Sequence, residues 1–261
     1  MALYAFDGTG DRWNPKTEIT ENQKTKKGRY LTNVVLFFKY YKDNGLNANY
    51  YPGVGSKRNV FDMVLGGAFG VGASGRVKSA FKQLKKNFLE GDEFIDIIGY
   101  SRGAATARMF ADRIFQSYKQ IKNNSKSFLT APPKIRFMGL FDTVASFGNP
   151  FNDNELRFQE RIPSNALNTF HAMALSEKSA GFSIDRAYGD NVLEIWFRGT
   201  HGDIGGNSKT ANGEPNRLRT NITLLFMLKK ARACGVELTN LPDLQFKPDA
   251  FVGNDDRGSE K

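Results

Sequence analysis

Cysteine and histidine are almost missing from this chain: its 261 residues include one Cys, Cys234, and two His, His171 and His201. A single cysteine forms no intrachain disulfide, so the fold does not depend on an oxidising compartment. Cys234 lies in an apolar helical stretch and reads as a buried, inert thiol. His201-Gly202-Asp203 hints at a metal, but no further ligands stand at regular spacing, so no metal or cofactor is called for. Nothing approaches the roughly 18 apolar residues that a membrane-spanning helix needs. No basic segment followed by an apolar run marks a cleavable leader. Low-complexity linkers and internal repeats are also missing, so residues 1–261 read as one domain.

Acidic residues are in deficit, with 27 Asp and Glu against 37 Lys and Arg, a formal charge of +10. A basic surface can meet nucleic acid, an anionic membrane or an acidic partner. The charge is grouped at 24–29, 76–86 and 119–126, without the aromatic–basic interleaving of an RNA-binding module. Nucleic acid is therefore not expected as a partner. The 76–86 stripe is a candidate for peripheral contact with anionic lipid.

What is abundant is core-building material: 40% hydrophobic residues, among them 22 Phe. Strands are predicted at Leu3–Phe6, around Asn49–Pro52, at Phe94–Ile98, Ile135–Phe141 and Val192–Phe197. Helical periodicity marks Tyr30–Tyr41, Arg76–Leu89, a helix from Arg102, Asn165–Lys178 and Asn221–Cys234. This alternation predicts an α/β fold of the α/β-hydrolase type: a mostly parallel sheet with helices on both faces, a three-layer sandwich. Residues 53–75 and 150–164 read as loop or lid insertions, and 255–261 as a frayed polar tail.

Chemistry concentrates at Gly99-Tyr100-Ser101-Arg102-Gly103. The G-x-S-x-G pattern alone is weak, but here a buried strand runs into it and a helix leaves it, as a nucleophile elbow requires. Such a turn lifts the Ser101 hydroxyl clear of the sheet and aims the Arg102 N–H and the helix N-terminus at a developing oxyanion. A serine needs a base. Of two candidates, His171 falls in a helical pattern and reads as structural. His201 follows a strand, in the Gly-rich run Gly199–Gly206, where α/β folds place their sites. The orienting acid should lie between the two in sequence. Asp142, ending the strand Ile135–Phe141, is the choice, with Asp185 and Asp190 as alternatives. Asp203 reads as a residue that orients the His201 loop. Asp7-Gly8-Thr9 ends the first strand; Gly8 and Thr9 N–H groups are candidate second oxyanion donors, and the competing reading is a turn fixed by Asp7.

Two other patterns compete. Gly70-Val71-Gly72-Ala73-Ser74-Gly75 fits the dinucleotide fingerprint, but the following strand ends in Gly99-Tyr100-Ser101 rather than in a ribose-binding acid. Phe6-Asp7-Gly8-Thr9 echoes aspartate-nucleophile phosphatases, but Ala5 stands where their attacking Asp should be.

Taken in order, Phe6-Asp7-Gly8-Thr9, Pro52-Gly53-Val54-Gly55, Gly91-Asp92-Glu93 leading to Gly99–Ala104, Gly139–Val144 and Trp196–Gly206 resemble the α/β-hydrolase family DUF 2235, which includes phospholipase effectors of bacterial type VI secretion. The resemblance implies a Ser101–Asp142–His201 triad, hydrolysis of phospholipid acyl esters, and synthesis in a bacterial cytoplasm before delivery into a rival cell. It also implies an immunity protein and a secretion-apparatus partner. Two further functions stand beside this one: a carboxylesterase for small soluble esters, and a non-catalytic interaction module on a hydrolase scaffold.

Overall fold

The computed structural model describes residues 1–14, 30–54, 68–92, 94–123, 133–145, 160–176, 184–213 and 216–245. Along the chain these form β1 (Ala2–Phe6), α1 (Asn33–Asp43), β2 (Asn47–Tyr51), α2 (Ala68–Leu89), β3 (Phe94–Tyr100) and α3 (Arg102–Asn123). There follow β4 (Lys134–Phe141), β5 (Thr169–Ala174), β6 (Val192–Phe197), α4 (His201–Gly205) and α5 (Arg217–Ala233). The six strands make one sheet in the order β2-β1-β3-β4-β5-β6, and every pairing is parallel.

Strand alternation sorts the core into two layers. Leu3 and Ala5 of β1, Ile98 and Tyr100 of β3, and Phe137 and Phe141 of β4 pack with α1 and α5. Tyr4 and Phe6, Ile95 and Ile97, and Met138 and Leu140 pack with α2 and α3. Both faces are covered, which is the three-layer α/β arrangement expected. It also explains why the strands read as continuous apolar runs. From β1 the chain crosses to β2 through α1 on one face, then returns to β3 through α2 on the other. The neighbouring strands β1 and β3 thus form the topological switch point, where open α/β sheets place ligands.

Several expectations need correction. Residues 165–176 of the expected helix Asn165–Lys178 are not helical: 169–174 are β5, a strand buried on both faces. Only Thr169 and His171 break its apolar residues, too few to set a period of two, and its Ala and Met favour helix. The 53–75 segment is not all loop, since α2 begins at Ala68. Its residues 55–67 lie outside the described part, as do 150–159 of the second insertion, the 24–29 basic group and the tail 255–261. The G-x-G-x-x-G pattern at 70–75 sits inside α2, not at a strand–helix turn, and Gly72 is small because Val54 packs on it: a Cβ there would come 2.5 Å from Val54 Cγ1. Among the described residues no helix is long and apolar enough to cross a membrane.

Candidate active site

The turn from β3 to α3 is built around two glycines with no room for a side chain. A Cβ at Gly99 would lie 2.7 Å from Ala104 Cα, and one at Gly103 would lie 2.4 Å from the carbonyl oxygens of Phe6 and Asp7. Between them Ser101 takes a left-handed backbone conformation, φ 57°. A non-glycine residue there costs on the order of 1–3 kcal/mol and persists only when its surroundings enforce it. They do so here. The Ser101 N–H donates to Phe141 O at 2.9 Å, and the Ser101 carbonyl accepts from Ala104, Ala105 and Val144 N–H groups.

His201 is the first residue of α4, so the Gly199–Gly206 run is a helical turn rather than a loop. Its Nε2 lies 2.9 Å from Ser101 Oγ and its Nδ1 lies 2.6 Å from Asp142 Oδ2. Asp142 is fully buried, Ser101 is 4% exposed and His201 8%. The other Asp142 oxygen accepts the Ala174 N–H at 2.7 Å. Among the described residues Asp142 is the second non-glycine residue with positive φ, 45°. A hydroxyl, an imidazole and a carboxylate in this relay can activate the hydroxyl, because the imidazole takes its proton while the carboxylate fixes the tautomer and stabilises the imidazolium.

The three residues border a 340 Å³ pocket also lined by Thr9, Asp11, Tyr100, Arg102, Gly202 and Asn207. Arg102 stands at the N-terminus of α3, where first-turn N–H groups lack helical acceptors and favour negative charge. Of the two donors expected from the first strand's end, Gly8 has already given its N–H to Asp7 Oδ1 at 2.9 Å, and it is Thr9 that borders the pocket. The phosphatase-like turn therefore brings Thr9, and not Asp7, to the pocket wall.

Asp7 is 3% exposed and anchors this turn. It accepts hydrogen bonds from Thr32 Oγ1 at 2.7 Å and Tyr50 OH at 2.6 Å. Thr32 is also the N-cap of α1, so one carboxylate joins a helix start, the edge strand and the pocket turn. Burial pushes the Asp7 carboxyl up to about 6, against the pull of its Tyr50, Thr32 and Gly8 hydrogen bonds. Burial, and then the charge of Asp7, hold Asp11 well above the usual carboxylate range. Tyr100 OH donates to Asn207 Oδ1 at 3.2 Å, and its ring lies 4.8 Å from that of His201, tilted by 32°. Asp11 and Asn207 join Tyr100 in the pocket wall, and no spacing in the sequence links positions as far apart as 11 and 207.

Asp203 acts through α4. Its Oδ2 accepts from the Thr200 N–H (2.9 Å) and hydroxyl (3.1 Å), a capping box, and its Oδ1 accepts from Ser208 Oγ at 2.6 Å. The alternative acids stand elsewhere. Asp185 donates its N–H to Thr143 O, and Asp190 is an exposed turn residue before β6. His171 lies on β5, fully buried, with Nδ1 2.9 Å from Glu194 Oε1 and Nε2 3.1 Å from the Thr143 N. Cys234 caps the end of α5, partly buried, with its thiol pushed up by burial and then by Asp96.

Comparisons with known proteins bear on the fold and the family. The family described as "T6SS, Phospholipase effector Tle1-like, catalytic domain" matches residues 3–118 and 114–230. A crystal structure of an uncharacterized protein from Pseudomonas aeruginosa superposes with a TM-score of 0.54 at 19% identity, covering 90% of this chain and 46% of that one. The Tle1 effector bound to the VgrG spike of the type 6 secretion system superposes at 0.51 and 22% identity, covering 80% and 51%. This chain thus spans about half the length of both solved proteins, whose likeness concerns the fold. No curated protein matches it. With a matched region covering most of its length, the chain belongs to the family of Tle1-like phospholipase effector catalytic domains of the type VI secretion system.

Proposed function

We propose that the protein is a serine hydrolase that cleaves acyl ester bonds of membrane phospholipids, with Ser101 as nucleophile, His201 as general base and Asp142 as orienting acid. The observation that carries this reading is the unbroken relay from Ser101 Oγ to His201 Nε2 (2.9 Å) and from His201 Nδ1 to Asp142 (2.6 Å) at a pocket wall. His201 takes the Ser101 proton as Oγ attacks the ester carbonyl, and the alcohol half leaves with that proton. Water then hydrolyses the acyl-enzyme by the same relay. The Arg102 N–H, with Thr9 opposite, stabilises the oxyanion.

Family membership supports a phospholipid substrate over a small soluble ester, and the intact relay argues against a non-catalytic scaffold. On this reading the enzyme is made in a bacterial cytoplasm, carried by a secretion apparatus into a target bacterium, and neutralised in the producer by an immunity protein. The solved relative bound to a VgrG spike makes the spike the apparatus partner to test first. Exposed Lys78, Lys82, Lys85 and Lys86 on α2 would add contact with anionic lipid.

The test is hydrolysis of a short-chain nitrophenyl ester and of phospholipid vesicles by wild type and Ser101→Ala. Loss of both activities in the variant is expected, with vesicles the better substrate for wild type. Activity that survives the substitution refutes the assignment of the nucleophile; preference for the short ester refutes the phospholipid reading. Replacing Lys78, Lys82 and Lys85 by Gln should weaken binding to anionic vesicles, and unchanged binding sinks the membrane contact.

A further inference from the structure

Asp142 must hold a strained left-handed conformation at the point where β4 leaves the sheet. Three of the bonds that hold it there come from backbone N–H groups or go to backbone carbonyls: Asp142 N–H to Ala172 O (2.8 Å), Ala174 N–H to Asp142 Oδ1 (2.7 Å) and Asp185 N–H to Thr143 O (3.0 Å). The next amide, Thr143 N–H, is buried and has run past its strand partner. Its acceptor is a side chain, His171 Nε2, at 3.1 Å.

A backbone amide only donates. The ring nitrogen that receives it therefore carries no proton, and the His171 proton sits on Nδ1, which donates to Glu194 Oε1 at 2.9 Å. Glu194 is itself fixed. Its Oε1 also accepts the Ala187 N–H at 2.7 Å and its Oε2 accepts the Arg186 guanidinium. With these donors on both of its oxygens, the carboxylate stays ionised beside His171. Glu194 is thus an ionised acceptor that selects one tautomer of His171. The arrangement repeats the logic of the relay one strand away: a carboxylate orients an imidazole, whose far nitrogen receives a proton donor.

We propose that His171, as the neutral Nδ1–H tautomer set by Glu194, is a positioning residue that holds the Asp142–Thr143 peptide and so aims the Asp142 carboxylate at His201. This rests on the reading that Asp142 serves a catalytic relay. His171→Asn keeps an amide donor for Glu194 but does not reach Thr143. His171→Gln reaches the Nε2 position with an amide oxygen that accepts. A displaced orienting group affects the chemical step rather than substrate binding. His171→Asn should therefore lower kcat on the short-chain ester about tenfold to a hundredfold with KM unchanged, and His171→Gln should restore most of it.

The chain has only two histidines, so nitrogen-15 histidine labelling gives two assignable rings. In the wild type at about pH 8, His171 should show a protonated Nδ1 and a bare Nε2. In His171→Asn, the proton between His201 and Asp142 should broaden or move. An Nε2–H tautomer at His171 overturns the proposal. So does a His171→Gln enzyme as impaired as His171→Asn while both remain folded, or a His171→Asn enzyme with unaltered kcat. If the wild type hydrolyses no ester, the catalytic reading fails, and the spectra still decide whether His171 holds the Asp142–His201 contact.

Discussion

Replacing Asp142 by Asn tests the relay with almost no change of shape. The outcome follows from one backbone amide. Asp142 Oδ1 accepts the Ala174 N–H at 2.7 Å while Oδ2 faces His201 Nδ1 at 2.6 Å. Ala174 N–H can only donate, so the amide oxygen of Asn must take that side and its NH2 must face His201. The Nδ1 of His201 must then accept, which moves the ring proton to Nε2, the atom 2.9 Å from Ser101 Oγ. An imidazole with Nε2 protonated cannot take the serine proton. The expected loss in kcat is about 10⁴-fold, on the order of 5 kcal/mol of transition-state stabilisation, the size found when a serine protease triad is forced into the wrong tautomer. KM for the short-chain ester should stay within about threefold, because the pocket walls are untouched. Steady-state kinetics on the purified variant, with a melting curve to confirm the fold, make the measurement. A kcat within about tenfold of wild type refutes the reasoning: either the tautomer is not fixed by Ala174, or His201 is not the base.

Other perturbations follow from particular contacts. Gly103→Ala drives a Cβ to 2.4 Å from two carbonyl oxygens at the end of β1, so it should cost about 1–3 kcal/mol in urea denaturation and reduce activity. Gly75→Ala, in open space on the exposed side of α2, should leave activity alone and raise stability by up to about 1 kcal/mol. Asp7 has a carboxyl raised to about 6 in the folded state, against 3.8 as the ordinary value. The folded protein therefore binds more protons between about pH 4 and 6, and stability from this group falls as pH rises through that window, then levels off. Asp7→Asn should remove that fall, seen by comparing denaturation midpoints at about pH 4.5 and 7; an unchanged pH dependence refutes the buried-acid account. Glu194 has the opposite sign: lowered to about 2 from 4.5, it contributes stability above that ordinary value that is lost as pH falls towards 2. Glu194→Gln should flatten the acid limb of the denaturation profile.

Most of the architecture was legible because it depends on local chemistry. The strand–turn–helix around Ser101 announces itself by a buried run, two glycines and an amphipathic helix within a short stretch. Asp142 was legible because a carboxylate ending a buried strand has few other reasons to be there. His201 was reached by elimination between two histidines, which works only because the chain has so few. The strand β5 was not legible. Only Thr169 and His171 interrupt the apolar residues of Thr169–Ala174, too few to set the period of a strand, and Ala and Met tilt the reading towards helix. A helical reading of this segment hides the place of His171, which from the strand beside β4 accepts the Thr143 N–H. Gly8 against Thr9 was also beyond the sequence, since what decides between adjacent amides is where the Asp7 carboxylate turns. Asp11 and Asn207 stand 196 residues apart yet hydrogen-bond at 3.4 Å, a pairing that exists only after folding.

The sheet order poses a problem that the Gly-rich run after β6 solves. Ser101 follows β3 and His201 follows β6, and β4 and β5 lie between them. At about 4.8 Å per strand the two chain ends stand roughly 14 Å apart, too far for an imidazole to span. The chain after Phe197 must therefore travel back across the sheet top and be held there. Gly199, at φ 135°, makes the turn. α4 is then pressed against the switch point. Gly205 lies on the Tyr100 ring, where a Cβ would come within 2.0 Å of two ring carbons, and Gly206, at φ 96°, lies against the start of α1, where a Cβ would meet the Asn33 N at 2.4 Å. Asn33 in turn donates to Ile204 O at 3.0 Å. The residue before Ser101 and the first turn of α1 thus form the surface on which the helix that carries His201 docks. Each glycine in 199–206 that contacts this surface marks a place where backbone had to approach backbone or ring. Asp142, by contrast, needs no such journey, because β4 is the neighbour of β3; its difficulty is the strained turn, and that is met by hydrogen bonds from β5. The two partners of Ser101 are brought in by different means, one by close packing on Tyr100 and α1 and the other by polar anchoring to the next strand. The first should fail when volume is added, and the second when a hydrogen-bonding atom is removed.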